Sequence, residues 1–475
     1  MSAYPHLVPL LAPFFLAYFA IINCGYLFLN GVALVSLRRQ LDSQVFADHP
    51  RIYTALKPPV SLLVPAYNEA ATIVASVRSM LQLAYDQFEI IVINDGSMDA
   101  TLEELRREFK LMAFPEAWRE SIETKPIRGI YYSAIHRNLR VIDKENGGKA
   151  DSLNAGINAA GYPLFCAVDA DSILQRNSLD LIAEPFIEDD RTIAAGGTIR
   201  ILNGCKAKDG FLVSIGLPKN PLALMQIVEY LRAFLFGRLG WSPLNAMLVI
   251  SGAFGLFRKS SVIEAGGYRT DTVGEDMELV MRLHRIHRQK RIPYRIVFIP
   301  NPICWTEAPE SLRVLGNQRK RWQRGLSECL WMNMGLPFSR NGGWVGWLAF
   351  PFTFIFEWVG VILELGGYTF MLAGFWLGII STAALVAFAI VAILLGILLS
   401  VSSLLLEEMS FHHYPRYRQL ATLLAMAILE NFGYRQLNLV WRFQGMLQWV
   451  LGTKGQWGRM HRTAQWNKSL NSDKP

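Results

Sequence analysis

Apolar residues run almost unbroken from Leu7 to Leu37, and the first positive charges, Arg38 and Arg39, come after that run. A secretory leader puts its charge first and keeps its apolar core to about 7–15 residues. The pattern therefore predicts a retained anchor over 1–37, and the positive-inside rule places the residues after 38 in the cytoplasm. From Val60 to about Pro302 the pattern changes. Short β-branched runs (Val60 to Pro65, Glu89 to Ile93, Pro163 to Val168) alternate with helical spacing such as Ala70 to Leu83, and each run ends in a polar loop. That βαβ alternation predicts a parallel, doubly wound sheet with ligands at the carboxyl ends of its strands. Phe109 to Leu139 reads as an insertion between the second and third units. The globular part is expected over 38–335, with an interfacial helix near 311–333. After Gly342 the chain is apolar to Leu406 apart from Glu357 and Glu364, enough for two or three spans of about 20 residues each. Those two glutamates share a helix face, and such residues turn toward a protein interior or a wet path. Leu420 to Phe443 reads as a last span or an interfacial helix, so 336–450 is expected to be membrane-associated and 451–475 a basic tail.

Composition agrees with a membrane protein carrying a globular part: 52% of the 475 residues are hydrophobic and 18% charged. The net charge of +8 brings no nucleic-acid motif with it, so anionic headgroups or a diphosphate are its expected partners, not nucleic acid. Five scattered cysteines stand in no metal-binding spacing and read as buried thiols.

The candidate chemistry lies at the strand ends. Asp169 and Asp171, after the third run, can flank a divalent cation that also binds diphosphate oxygens, the arrangement Mg²⁺ favours; alone, the pair would be an ordinary loop. Asn146-Gly147-Gly148-Lys149 opens a helix whose N-terminus and ammonium group attract phosphate. It lacks the longer glycine spacing of a P-loop. Tyr67 and Glu69 close the first strand and Asp95 the second, where carboxylates can accept from a base or a ribose, or simply shape turns. Ser251 and Gly252 mark a bend between apolar stretches. Glu275 and Asp276 open another helix, where acidic side chains suit the dipole and can also supply a base. Gln318, Arg321 and Trp322 share one helix face, offering an amide, a cation and an aromatic plate for a sugar. Arg319, Lys320 and Arg324 are left for lipid headgroups.

Taken in order, Asp169-Ala170-Asp171, Gly274-Glu275-Asp276 and Gln318-Arg319-Lys320-Arg321-Trp322 between two apolar ends resemble the processive family 2 glycosyltransferases, the cellulose, chitin, hyaluronan and poly-N-acetylglucosamine synthases. The resemblance implies a GT-A-type α/β nucleotide-sugar domain inserted between transmembrane helices, in an integral protein of a bacterial inner membrane. It implies that Tyr67, Glu69, Asp95, Lys149 and Asp169 hold a UDP-sugar, and that Mg²⁺ or Mn²⁺ sits at Asp169 and Asp171. Asp276, with Glu275 beside it, would act as base, and Arg321 would meet the departing UDP. Ser251, Gly252, Gln318 and Trp322 would line the acceptor, a polysaccharide or oligosaccharide. Lys454, Trp457 and Arg459 resemble, loosely, a gating loop. The implied reaction inverts the donor linkage and extends a β-linked polymer, with N-acetylglucosamine the favoured sugar, export through the helices, and accessory export subunits as partners. Transfer of one sugar to a lipid carrier and a non-catalytic export scaffold are the alternatives.

Overall fold

The computed structural model describes residues 8–45, 57–114, 120–208 and 211–453. Its strands are β1 (Val60–Ala66), β2 (Phe88–Asp95), β3 (Leu111–Ala113), β4 (Ile127–Ser133), β5 (Leu139–Lys144), β6 (Leu164–Val168), β7 (Ile173–Leu174), β8 (Thr192–Ile201), β9 (Lys206–Lys208), β10 (Phe211–Ser214), β11 (Phe254–Arg258) and β12 (Arg295–Thr306). All but the β9–β10 ribbon join one sheet in the order β3-β4-β5-β2-β1-β6-β11-β8-β12-β7. The expected parallel unit is its centre: β5, β2, β1 and β6 run the same way. The sheet as a whole is mixed, because β4 pairs antiparallel to β5, and β11 runs antiparallel between β6 and β8. The stretch read as an insertion contributes β3 and β4, an antiparallel edge built onto β5.

The central runs are buried on both faces, as helix-covered parallel strands must be. Helix Lys149–Ala159 lies close on β1 and β2 because Gly156 meets the Leu63 and Ile93 side chains where any larger residue would push the helix away. The parallel strands end along one edge, and β11, running the other way, begins there: Phe254 pairs with Val168. The bend carrying Gly252 is thereby brought beside the loop that carries Asp169 and Asp171.

Three helices are long and apolar enough to cross a membrane: Leu11–Arg38, Val345–Trp376 and Thr382–Ser410. The apolar stretch from Leu420 onward is not a fourth continuous span. It forms helices Tyr417–Leu429 and Tyr434–Val450, broken at Gly433, whose φ of 110° few other residues adopt. The first, with 13 residues, reaches about 20 Å, short of a hydrocarbon core of about 30 Å. The second packs along helix Leu312–Met332, where Gly316 faces the Trp441 indole and Gly445 faces the Lys320 carbonyl. Charged residues in these helices find partners: Glu357 pairs with Arg442 at 2.9 Å, and Arg200 on β8 pairs with Glu407 at 2.9 Å, fastening the sheet to the end of the third span. Four cysteines are buried as expected, whereas Cys24, on the first span, is exposed.

Gly445→Ala puts a methyl group into the Lys320 carbonyl oxygen, which only a backbone shift relieves. The substitution is expected to destabilise the protein by about 1–3 kcal/mol, read as a lower thermal midpoint of the purified protein; an unchanged midpoint contradicts this packing.

Candidate active site

Asp95, at the end of β2, is buried and spends its carboxylate on its own fold. It accepts from Gly147 N (2.9 Å), Gly148 N (2.8 Å), Asn146 Nδ2 (3.1 Å) and Lys144 Nζ (2.8 Å). Lys144 is fully buried and also pairs with Asp151 at 2.5 Å. This charge triad fixes the glycine turn, with Gly148 at φ 88°, and so sets where the next residue, Lys149, points. Asp95 therefore orients the lysine loop in this structure.

Lys149 Nζ lies 2.5 Å from Asp169 Oδ1, 3.1 Å from Gly252 O and 3.9 Å from Glu275 Oε1. Burial disfavours its charge, but Asp169, Glu275 and Asp276 outweigh burial and hold its pKa above the ordinary lysine value. Asp276 Oδ2 accepts from Gly252 N at 2.9 Å and its Oδ1 from Met277 N at 2.8 Å. A side chain at Gly252 would lie 2.9 Å from Lys149 Nζ and 3.4 Å from Asp276 Oδ2, so one placed there would push the ammonium from its present position. Five predicted residues, Lys149, Asp169, Gly252, Glu275 and Asp276, thus meet at one point. Ser251 turns the bend by accepting from Phe254 N at 3.1 Å.

Glu275 is 7% exposed. Burial pushes its pKa up to about 7; Lys149 pulls it down and Asp276 pushes it further up. Arg321 lies close enough to favour the charged form as well. Asp171 is buried beside Thr306, and Asp169 begins a tight turn through Ser172 N. Among the described residues no three His, Cys, Asp or Glu side chains converge as a metal cage. Two carboxylates at a strand end fit a divalent cation only if substrate phosphates complete its shell, which is the Mg²⁺ manner of binding. Tyr67, 42% exposed, and Glu69, bonded to Thr72 Oγ1 at 2.8 Å, stand on the neighbouring loop after β1.

On helix Leu312–Met332 the outcome differs from expectation. Trp322 is half-buried, with the Arg319 guanidinium 4.2 Å from its ring centroid and Phe234 at 5.6 Å. Arg319 does not face lipid headgroups. It is buried and paired with Glu229 at 2.7 Å, because Glu229 and Tyr434 from distant helices close around it. Arg324 pairs with Glu328, and the Lys320 backbone packs on Gly445. Gln318 is half-buried, its Oε1 without a hydrogen-bond partner among the described residues. Lys454, Trp457 and Arg459 lie outside the described residues.

Two groups escaped the sequence reading. Lys144 ends a strand whose polar letters conceal a core position. Arg238, 8% exposed, makes no side-chain hydrogen bond among the described residues; its guanidinium stacks at 4.7 Å over Phe234. Burial pushes its pKa down to about 10, while Asp276 favours its charge. No local motif announces it.

The glycosyl transferase family 2 model matches residues 61–260, and the glycosyl transferase family group 2 model matches residues 164–402, half of the chain. The chain belongs to the family 2 glycosyltransferases. This transferase is 32% identical over 274 residues to the poly-β-1,6-N-acetyl-D-glucosamine synthase of Staphylococcus aureus, and 30% identical over 272 residues to that of Staphylococcus epidermidis. Each match takes in 57% of the transferase and 55% of the relative, so the chain spans about half the length of the curated relatives it matches. A solved mannosyltransferase from Pyrobaculum calidifontis, in complex with GDP-Man and Mn²⁺, aligns with 92% of the transferase and 100% of its own chain, at TM-score 0.49 and 17% identity.

Glu275 titrates higher in the folded transferase than the ordinary value of 4.5. The folded state then holds its proton more tightly, so its contribution to stability is full at low pH and is lost as pH rises from about 4.5 through about 7. The thermal midpoint of wild type relative to Glu275→Gln is therefore expected to fall over that window and level off above it. A difference that does not change with pH contradicts the raised pKa.

Proposed function

We propose that this transferase moves a sugar from a cytosolic UDP-sugar, N-acetylglucosamine in first place, onto a growing β-linked polysaccharide, with inversion at the anomeric carbon. The observation that carries the proposal is the meeting of Lys149 and Asp276 on the backbone carbonyl and N–H of Gly252, with Asp169 against the lysine. Cation, carboxylate pair and candidate base then fall within one small volume at the carboxyl edge of the sheet. Similarity to the poly-N-acetylglucosamine synthases supports the choice of sugar and of polymer.

In this reading the uridine lies against Tyr67 and Glu69, and the diphosphate lies against Lys149 and the Asp169–Asp171 loop. Mg²⁺ or Mn²⁺, held by Asp169 and Asp171, supplies charge neutralisation of the diphosphate. Asp276, its carboxylate fixed by two backbone N–H groups, takes the proton of the acceptor hydroxyl. The hydroxyl oxygen bonds to the anomeric carbon as the bond to the diphosphate breaks, and UDP leaves with the electron pair. Arg321 and Arg238 stand near enough to the acidic pair to stabilise the charge that builds on the leaving group. Buried Glu275 tempers the lysine charge. The three apolar helices suit a product route across a bilayer, with the donor site on one side and an export face on the other.

One observation favours a second reading. Both Arg319 and Phe234 pack on Trp322, which leaves less of its ring for stacking on a sugar. Transfer of a single sugar to a lipid carrier is consistent with that packing.

Asp276→Asn is expected to cut UDP release by the purified protein, supplied with UDP-N-acetylglucosamine and Mn²⁺, about 10²–10⁴-fold; undiminished release removes Asp276 as base. Radiolabelled product from wild type is expected to be polymeric, and a single-sugar lipid product would replace the first reading with the second.

A further inference from the structure

Away from the catalytic edge, a cavity of about 500 Å³ is lined by four arginines, Arg191, Arg288, Arg291 and Arg340, together with Tyr294 and Gly343. Arg191 is committed: Asp189 holds it through two contacts of 2.8 Å. Arg288, Arg291 and Arg340 have no carboxylate within ion-pair distance among the described residues. The Arg288 guanidinium donates to the Tyr294 hydroxyl at 3.2 Å and lies 5.4 Å from that ring's centroid. The loop carrying Arg340 closes directly on Arg288: a side chain at Gly343 would lie 2.7 Å from the guanidinium, and Gly343 has φ 56°. Three like charges collected around one hollow repel one another, and an anion between them removes that cost.

The place of the hollow says which anion. The membrane-crossing helix Val345–Trp376 begins two residues after Gly343. Trp344 and Trp347, at its first turn, are 57% and 55% exposed, and Phe338, packed edge-on against Trp347, is 62% exposed. Exposed tryptophans at the end of a span mark the headgroup level of a bilayer. The arginines therefore open at the depth where lipid phosphates lie, on the side that carries the catalytic domain.

We propose that Arg288, Arg291 and Arg340 form a binding site for the phosphate of an anionic lipid headgroup. The site owes nothing to the sugar chemistry and stands apart from its residues. Arg291 and Arg340 are exposed, so replacing them leaves the packing intact. Arg416 and Arg418 are also exposed, lie after the third span on the same side of the bundle, and provide a control with the same loss of charge.

The test is retention of phosphatidylglycerol by the full chain, extracted from bilayers of phosphatidylcholine and phosphatidylglycerol and weighed by native mass spectrometry. Wild type and Arg416→Gln/Arg418→Gln are expected to retain it alike, Arg291→Gln/Arg340→Gln to lose about tenfold, and millimolar inorganic phosphate to leave retention unchanged. Equal loss in both double variants would reduce the site to diffuse surface charge. Full retention by Arg291→Gln/Arg340→Gln, or displacement of the lipid by free phosphate, overturns the proposal, the latter in favour of a soluble anion.

Discussion

Between Lys149 and Asp276 stands the backbone of Gly252, whose carbonyl accepts from the ammonium at 3.1 Å and whose N–H donates to the carboxylate at 2.9 Å. The residue stands between a cation and an anion and bonds to both. Paired, they would cancel each other; held apart, the lysine faces Asp169 and the aspartate keeps its own orientation. A side chain at this position would enter the space between them and displace the lysine ammonium. The geometry also requires β11 to run against β6, because only that direction starts the strand at the edge where the parallel strands finish.

Behind this contact lies a second layer of buried charge. Asp95, Lys144 and Asp151 sit almost out of water, and each is held by the others or by backbone N–H groups. Breaking a buried pair from one side costs about 3–5 kcal/mol, because the remaining charge is left without compensation. Such a triad makes the glycine turn stiff, and a stiff turn delivers Lys149 to one place. Glu275 and charged Lys149 then share a region where burial and the neighbouring charges set how firmly the glutamate holds its proton. Buried ion pairs also join the sheet to the helices, through Arg319 with Glu229 and Arg200 with Glu407.

The first strands were legible because their runs are β-branched and end in polar loops, and the acidic residues after them could be placed at the sheet's carboxyl edge on that ground alone. β5 was not, because Leu-Arg-Val-Ile-Asp-Lys looks like a surface segment. Its Arg140 is neutralised by Glu89 and its Lys144 by Asp95, partners about fifty residues away by the same sheet pairing. Arg319 misled for the same reason, since its partner Glu229 lies on another helix. Order along the chain identified the family; what it could not convey was which charges are spent on the fold. Asp95 and Trp322 were both read as ligand contacts, and both are extensively engaged within the protein.

The central claim is that donor and base chemistry converge on the backbone of Gly252. A cryo-electron microscopy map of the full chain with UDP and Mn²⁺ tests it most directly. The account predicts diphosphate density against Lys149 and the Asp169–Asp171 loop, with the uracil beside Tyr67. Nucleotide density elsewhere on the domain, with the Lys149–Gly252–Asp276 bridge untouched, would contradict it.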